Sequence, residues 1–153
     1  MTNTTNYDQL CNRLSVLTQD IPYPIANLSN ASALLYQELT DINWAGFYIV
    51  EDGALILGPF QGKTACIRIE RGRGVCGTAW EKDETQLVPD VHAFPGHIAC
   101  DCASRSEIVI PIHFQNKVWG VLDIDSPTEG RFTEYDQTGL TKFVQILEKA
   151  LFF

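Results

Sequence analysis

Apolar residues recur at helical spacing twice near the start of the chain, at Leu10, Cys11, Leu14 and Leu17 and again at Leu28, Ala31, Leu35 and Leu39. Ile21-Pro22-Tyr23-Pro24 breaks the periodicity between them, because a residue before proline is driven out of helical conformation. Two short amphipathic helices are therefore predicted, starting after Tyr7 and after Asn27. The pattern then changes to strand-like runs at 43–50, 54–60 and 65–70, the first two split by the turn signal Glu51-Asp52-Gly53. A short helix is predicted over 75–82, an extended piece over 86–91, and then a long loop through Pro95, Gly96 and His97. A loop of that length inside a compact domain is more often a functional cover than a spacer.

The strongest strands follow, 107–112 and 118–125, flanking Gln115-Asn116-Lys117 and reading as a long hairpin with one buried face. The chain closes with a helix capped by Thr133, with Glu134 and Asp136 in its first turn and a stripe of Leu140, Phe143, Val144, Leu147 and Leu151. This element order lacks regular βαβ alternation. It predicts an α+β fold with a largely antiparallel sheet of about six strands and helices packed on it. A length of 153 residues suits one domain covering 1–153.

Charge narrows the partners. A net charge of −8 opposes binding to nucleic acid or anionic membranes, and no apolar run approaches the roughly 20 residues of a membrane helix. The first residues lack a signal-peptide pattern, so the expected compartment is the cytoplasm, where five cysteines rest as thiols. Three stand among glycines and carboxylates. Cys66 lies in an alternating, strand-like run; Cys76 lies in a glycine-rich turn entering a helix; Cys100 lies in a small-residue, polar-flanked loop where a thiolate can meet a substrate. Such thiols suggest redox chemistry. Asp123 and Asp125 share one face of an otherwise apolar strand, which points to a pocket.

Gly72-Arg73-Gly74-Val75-Cys76-Gly77-Thr78-Ala79, Val91-His92, Gly96-His97-Ile98-Ala99-Cys100-Asp101, Ser106-Glu107-Ile108-Val109-Ile110-Pro111 and Gly120 to Ser126 together resemble one family, the free methionine-(R)-sulfoxide reductases built on the GAF fold. Asn43-Trp44-Ala45-Gly46-Phe47-Tyr48 resembles that family's first core strand. The resemblance implies reduction of free methionine-(R)-sulfoxide by a cysteine couple renewed by thioredoxin as an external reductant, with no bound cofactor, in a homodimer. By matching motif, Cys100 corresponds to the attacking cysteine, Cys66 to the main resolving cysteine and Cys76 to a third that can also join disulfides. Glu107, Asp123 and Asp125 correspond to carboxylates around the substrate, and Trp44 and Tyr48 to the pocket wall. Cys11 and Cys102 fall outside the pattern.

A sulfoxide needs a thiolate on sulfur and a proton donor at oxygen, and the resulting sulfenic acid needs a second thiol before over-oxidation traps it. Three carboxylates would raise a thiol's pKa, but their crowding also raises one another's, so one can stay protonated as donor. Glu107 is the preferred donor. Two rival readings remain: a non-catalytic GAF sensory module for a cyclic nucleotide or other small ligand, and a zinc site from Cys66, Cys76, Cys100, Cys102 and the histidines.

Overall fold

The computed structural model describes residues 4–96 and 104–152. Helices α1 (Tyr7–Thr18) and α2 (Pro24–Glu38) precede strands β1 (Trp44–Glu51), β2 (Ala54–Gly62) and β3 (Arg68–Ile69). Helix α3 (Gly74–Lys82), strand β4 (Gln86–Val88), a 3-10 turn at Val91–Ala93, strands β5 (Ser106–Phe114) and β6 (Lys117–Ser126) and helix α4 (Glu134–Leu151) complete the order. The strands form one six-stranded sheet, β3-β2-β1-β6-β5-β4, in which every neighbouring pair is antiparallel. The α+β prediction holds.

Successive side chains of a strand point to opposite faces, so each central strand feeds two cores. On one face Ala45, Phe47, Ile108, Ile110, Ile112, Leu122 and Ile124 pack with the apolar stripes of α1, α2 and α4. On the other, Trp44, Tyr48, Val109 and Val121 pack with Val75, Cys76 and Ala79 of α3 and with Leu55, Ile69, Val88 and Val91. The second face carries the polar site.

The β5–β6 hairpin turns on Gln115 and Asn116, both at positive φ (52° and 63°), the left-handed pair that a two-residue turn between twisted strands requires. Helix α4 starts at Thr133, whose backbone N–H donates to Asp136 at 2.9 Å; Asp136 also accepts from the Tyr7 hydroxyl at 2.6 Å, tying α1 to α4.

Several boundaries differ from the periodicity. Helix α2 begins at Pro24, not after Asn27, because proline's missing N–H and fixed φ suit the first helical position. Leu17 is 41% exposed, so it lies off the buried stripe of α1. The strand predicted over 65–70 contracts to Arg68–Ile69, leaving Cys66 in the connection from β2. There the Cys66 carbonyl accepts from the Tyr48 hydroxyl at 2.8 Å, so it is taken by a side chain rather than a strand neighbour. The piece predicted over 86–91 is strand only to Val88 and then coils into the 3-10 turn.

Candidate active site

The site is built by strand register. Glu107 of β5 lies opposite Asp125 of β6, and Asp125 lies opposite Trp44 of β1; two residues along, Val109 lies opposite Asp123, and Asp123 lies opposite Gly46. An even spacing returns a side chain to the same face, so Glu107, Asp123, Asp125, Trp44 and Tyr48 all rise on the side covered by α3. The face needs a gap. A Cβ at Gly46 would sit 2.2 Å from the Phe60 Cβ and 2.9 Å from Trp44 Cη2, so only glycine lets the rings close over β1. Trp44 stacks on Phe60 at 5.1 Å and on Tyr48 at 5.9 Å between centroids.

Both aromatics also latch the segment that carries Cys66. The Trp44 indole N–H donates to the Lys63 carbonyl at 3.0 Å, and Tyr48 holds Cys66 as described. The Ile67 carbonyl accepts from the Leu57 amide of β2 at 2.9 Å, fixing the segment's other side. Cys66 is disulfide-bonded, whereas Cys76 and Cys11 are free thiols.

Helix α3 closes the face. Gly74, its first residue, has φ of 62°, a conformation glycine adopts without strain, and the turn delivers Cys76 into the buried space beneath. No side chain caps the helix at Arg73, so the first amides of α3 remain available where Arg73, Gly74, Val75 and Cys76 line a cavity. That cavity, about 70 Å³, is also lined by Trp44, Tyr48, Glu107, Asp123 and Asp125. It brings together six of the eight residues expected at the site: Cys76, the three carboxylates and the two aromatics. Cys66 sits just outside the lining, and Cys100 lies outside the described residues, as do residues 97–103 of the predicted cover.

Burial governs the electrostatics. Cys76 Sγ lies 4.0 Å from Glu107 Oε2, and one donor atom each from Cys76, Glu107 and Asp123 falls within 4.8 Å of the others. Removal from water is the largest influence pushing the Glu107 carboxyl far above the usual carboxylate range, and the charges of Asp123 and Asp125 add to it. Asp123 is raised by burial too, but hydrogen bonds from Glu107, Asp125 and Cys76 to its carboxylate hold it back. Burial thus favours the protonated form of Glu107. Desolvation thus exceeds the charge crowding expected from the sequence. Cys76 is also raised, by burial first and then by Asp123, Glu107 and Asp125, which overrides the lowering that a helix N-terminus gives a thiol. It rests as a neutral thiol.

Three polar residues of the cavity lining carried no assignment from sequence: Thr64, Arg73 and Ser104. Arg73 stands inside a quoted motif, three residues before Cys76, and its charge against an acidic pocket was the available signal. Ser104 carries no pattern of its own.

The GAF domain family matches residues 24–151. A free methionine-R-sulfoxide reductase from Escherichia coli (strain K12) is 61% identical over 127 residues, covering 83% of this chain and 77% of that protein. The structure of fRMsr of Staphylococcus aureus in its reduced form superposes with a TM-score of 0.95 at 53% identity, covering 99% of both chains. That of the free methionine-R-sulfoxide reductase from Neisseria meningitidis in complex with its substrate gives 0.91 at 43% identity, over 94% of this chain and 87% of that one. Sequence, fold and the cavity's carboxylate floor converge, and the chain belongs to the free methionine-R-sulfoxide reductase family of GAF domains.

Proposed function

We propose that this chain reduces free methionine-(R)-sulfoxide to methionine, and the observation that carries the reading is the buried Glu107, grouped with Asp123 and Asp125 at a cavity walled by Trp44 and Tyr48. The Cys100 thiolate attacks the sulfoxide sulfur while Glu107 donates its proton to the oxygen. Oxygen passes to Cys100 as a sulfenic acid, and methionine leaves with its sulfur reduced by two electrons. The Cys66 thiol then attacks the sulfenic sulfur, forming a disulfide and releasing water, and thioredoxin's dithiol returns the disulfide to two thiols. Cys66's capacity for a disulfide supports its role as the resolving thiol.

Asp123 and Asp125 receive the substrate's ammonium. Asp123 Oδ1 is buried without a hydrogen-bond partner among the described residues, an acceptor left for a cation to satisfy. The open amides of α3 receive its carboxylate. Trp44 and Tyr48 pack on the thioether arm, each contact contributing about 0.3–1.5 kcal/mol. The third cysteine, Cys76, is held neutral and can enter disulfide exchange when the pocket opens.

The rivals fare worse. A cyclic nucleotide would bring its phosphate to three carboxylates. A zinc site needs deprotonated donors, but burial disfavours the charged forms of Glu107 and Cys76, Cys66 is in a disulfide, and His113 pairs instead with Asp83 at 2.5 Å. We further propose that residues 1–153 act as one catalytic domain, cytoplasmic and homodimeric.

Prereduced protein should release methionine from the free R epimer and not from the S epimer or the peptide-bound form; no release from the free R epimer would sink the reading. Cys100→Ser should abolish turnover. Cys66→Ser should retain a single first-turnover burst but stall under thioredoxin cycling, and sustained cycling by that variant would move the resolving role elsewhere.

A further inference from the structure

The segment that joins β2 to α3 differs in charge from the rest of the chain. In a protein of net charge −8 it carries Lys63, Arg68, Arg71 and Arg73 against Glu70 alone, all of them exposed residues. Arg68 pairs with Glu70 at 2.9 Å, and the Arg71 guanidinium lies 5.5 Å from the centre of the Trp80 ring. Between Lys63 and Arg68 stands Ile67. Its side chain is 73% exposed, while its neighbours Ala65 and Cys66 pack inward on the second core. A lone exposed isoleucine is ordinary, but among the described residues Ile67 is the exposed large apolar side chain that adjoins a disulfide-bonded cysteine. The backbone beneath it is fixed. The carbonyls of Lys63, Cys66 and Ile67 accept from Trp44, Tyr48 and Leu57 at 3.0, 2.8 and 2.9 Å. A surface already held in place loses little freedom when a partner covers it.

The disulfide at Cys66 has to be opened by an incoming thiolate before the chain can react again. We propose that Ile67, with Lys63, Arg68 and Arg71 around it, forms the docking face for the protein dithiol that reduces this disulfide, and that the dithiol's attacking thiolate bonds to Cys66 Sγ. The inference rests on the reductase reading, in which the cysteine paired with Cys66 is Cys100. The occupant's face is apolar beside its attacking cysteine and acidic at its edge, the complement of an isoleucine set among cations. Attack breaks the disulfide, forms a mixed disulfide on Cys66 and expels Cys100 as a thiolate. Cys100 is the thiol whose role requires it to ionise, and a thiol that ionises readily leaves faster. The dithiol's second thiol then displaces Cys66. The dithiol ends as a disulfide, and its two electrons and two protons have passed to Cys66 and Cys100.

The test measures turnover of free methionine-(R)-sulfoxide with thioredoxin and, separately, with dithiothreitol, a small dithiol that needs no docking face. Ile67→Ser should lower kcat/KM for thioredoxin at least about fivefold, the scale of one apolar interface anchor, chiefly through KM. The double variant Lys63→Glu/Arg71→Glu should lower it by a similar factor and flatten its fall with added salt, because a basic face draws in an acidic partner most strongly at low ionic strength. Both variants should keep the dithiothreitol rate and the first-turnover burst of methionine. Thioredoxin with its second active-site cysteine replaced by serine should be captured by the oxidised protein as a mixed disulfide that peptide mapping places on Cys66. Equal losses with both reductants, no loss with thioredoxin, or capture on Cys100 would overturn the docking face. Capture on Cys66 that Ile67→Ser weakens, in a chain that releases no methionine with either reductant, would refute the reductase reading and leave the docking face standing.

Discussion

At the scale of single residues, Glu107 couples chemistry to stability through one proton. Its carboxyl is raised mainly by burial, so its protonated form persists to higher pH than an ordinary glutamate's. As pH climbs through that elevated value the donor is lost, and kcat should fall with it. Glu107→Gln should lower kcat by about 10²–10⁴ and remove this limb of the profile, the range expected when a general acid is deleted. Linkage gives a second reading of the same proton. A carboxyl raised on folding supports the native state fully below the unfolded pKa, and the support disappears as pH rises through the folded pKa. Glu107→Gln should therefore gain stability relative to the parent protein in alkaline buffer and lose that advantage toward acid, as thermal melts across pH would record. A parent protein whose stability rises with pH through this range would contradict the assignment.

At the scale of elements, the sheet's second face works because β1 alternates bulk and absence. Gly46→Ala would drive a methyl into Phe60 and Trp44, and overpacking of this kind should destabilise by about 1–3 kcal/mol in urea unfolding. Tyr48→Phe removes the hydroxyl that holds the Cys66 carbonyl, so disulfide formation after the first turnover should slow more than methionine release does. Rapid-quench measurements of free thiols against methionine separate the two steps. Much of this layer was legible from patterning. The even spacing of Asp123 and Asp125 set them on one face, and Trp44 and Tyr48 likewise. What periodicity could not give was the fate of Cys66: its run alternates like a strand, but the Cys66 carbonyl is claimed by a tyrosine from β1, a contact spanning 18 residues of sequence. Tertiary hydrogen bonding overrode a local signal. Arg73 went unassigned for a similar reason: its charge and motif were legible, but the acidic cavity it lines is assembled from strands 34 to 52 residues further along the chain.

Across the whole molecule, the sheet separates what holds the chain together from what reacts. Helices α1, α2 and α4 pack on one side, and the cavity lies on the other under α3. Perturbations on the helical side should consequently register in stability before activity. Tyr7→Phe strips the 2.6 Å hydrogen bond to Asp136 that joins α1 to α4, and should cost about 1.5–3 kcal/mol, the worth of a bond to a charged group, with kcat essentially unchanged. A large fall in kcat at full folding would show that the two sides communicate. The overall architecture was readable because the helices near both ends each had one apolar stripe to bury and the strand-like runs between them lacked βαβ alternation, leaving few ways to stack them.

The turn at Gln115 and Asn116 has a remote consequence. Because strand side chains alternate, shifting β6 by a single position against β5 would rotate Asp123 and Asp125 into the oily layer beneath α4 and lift Leu122 and Ile124 into the reaction chamber. Two left-handed residues at the far end of the hairpin thus act as an indexing pin for the chemistry. Deleting one of them would miswire the enzyme without touching any group that meets its substrate.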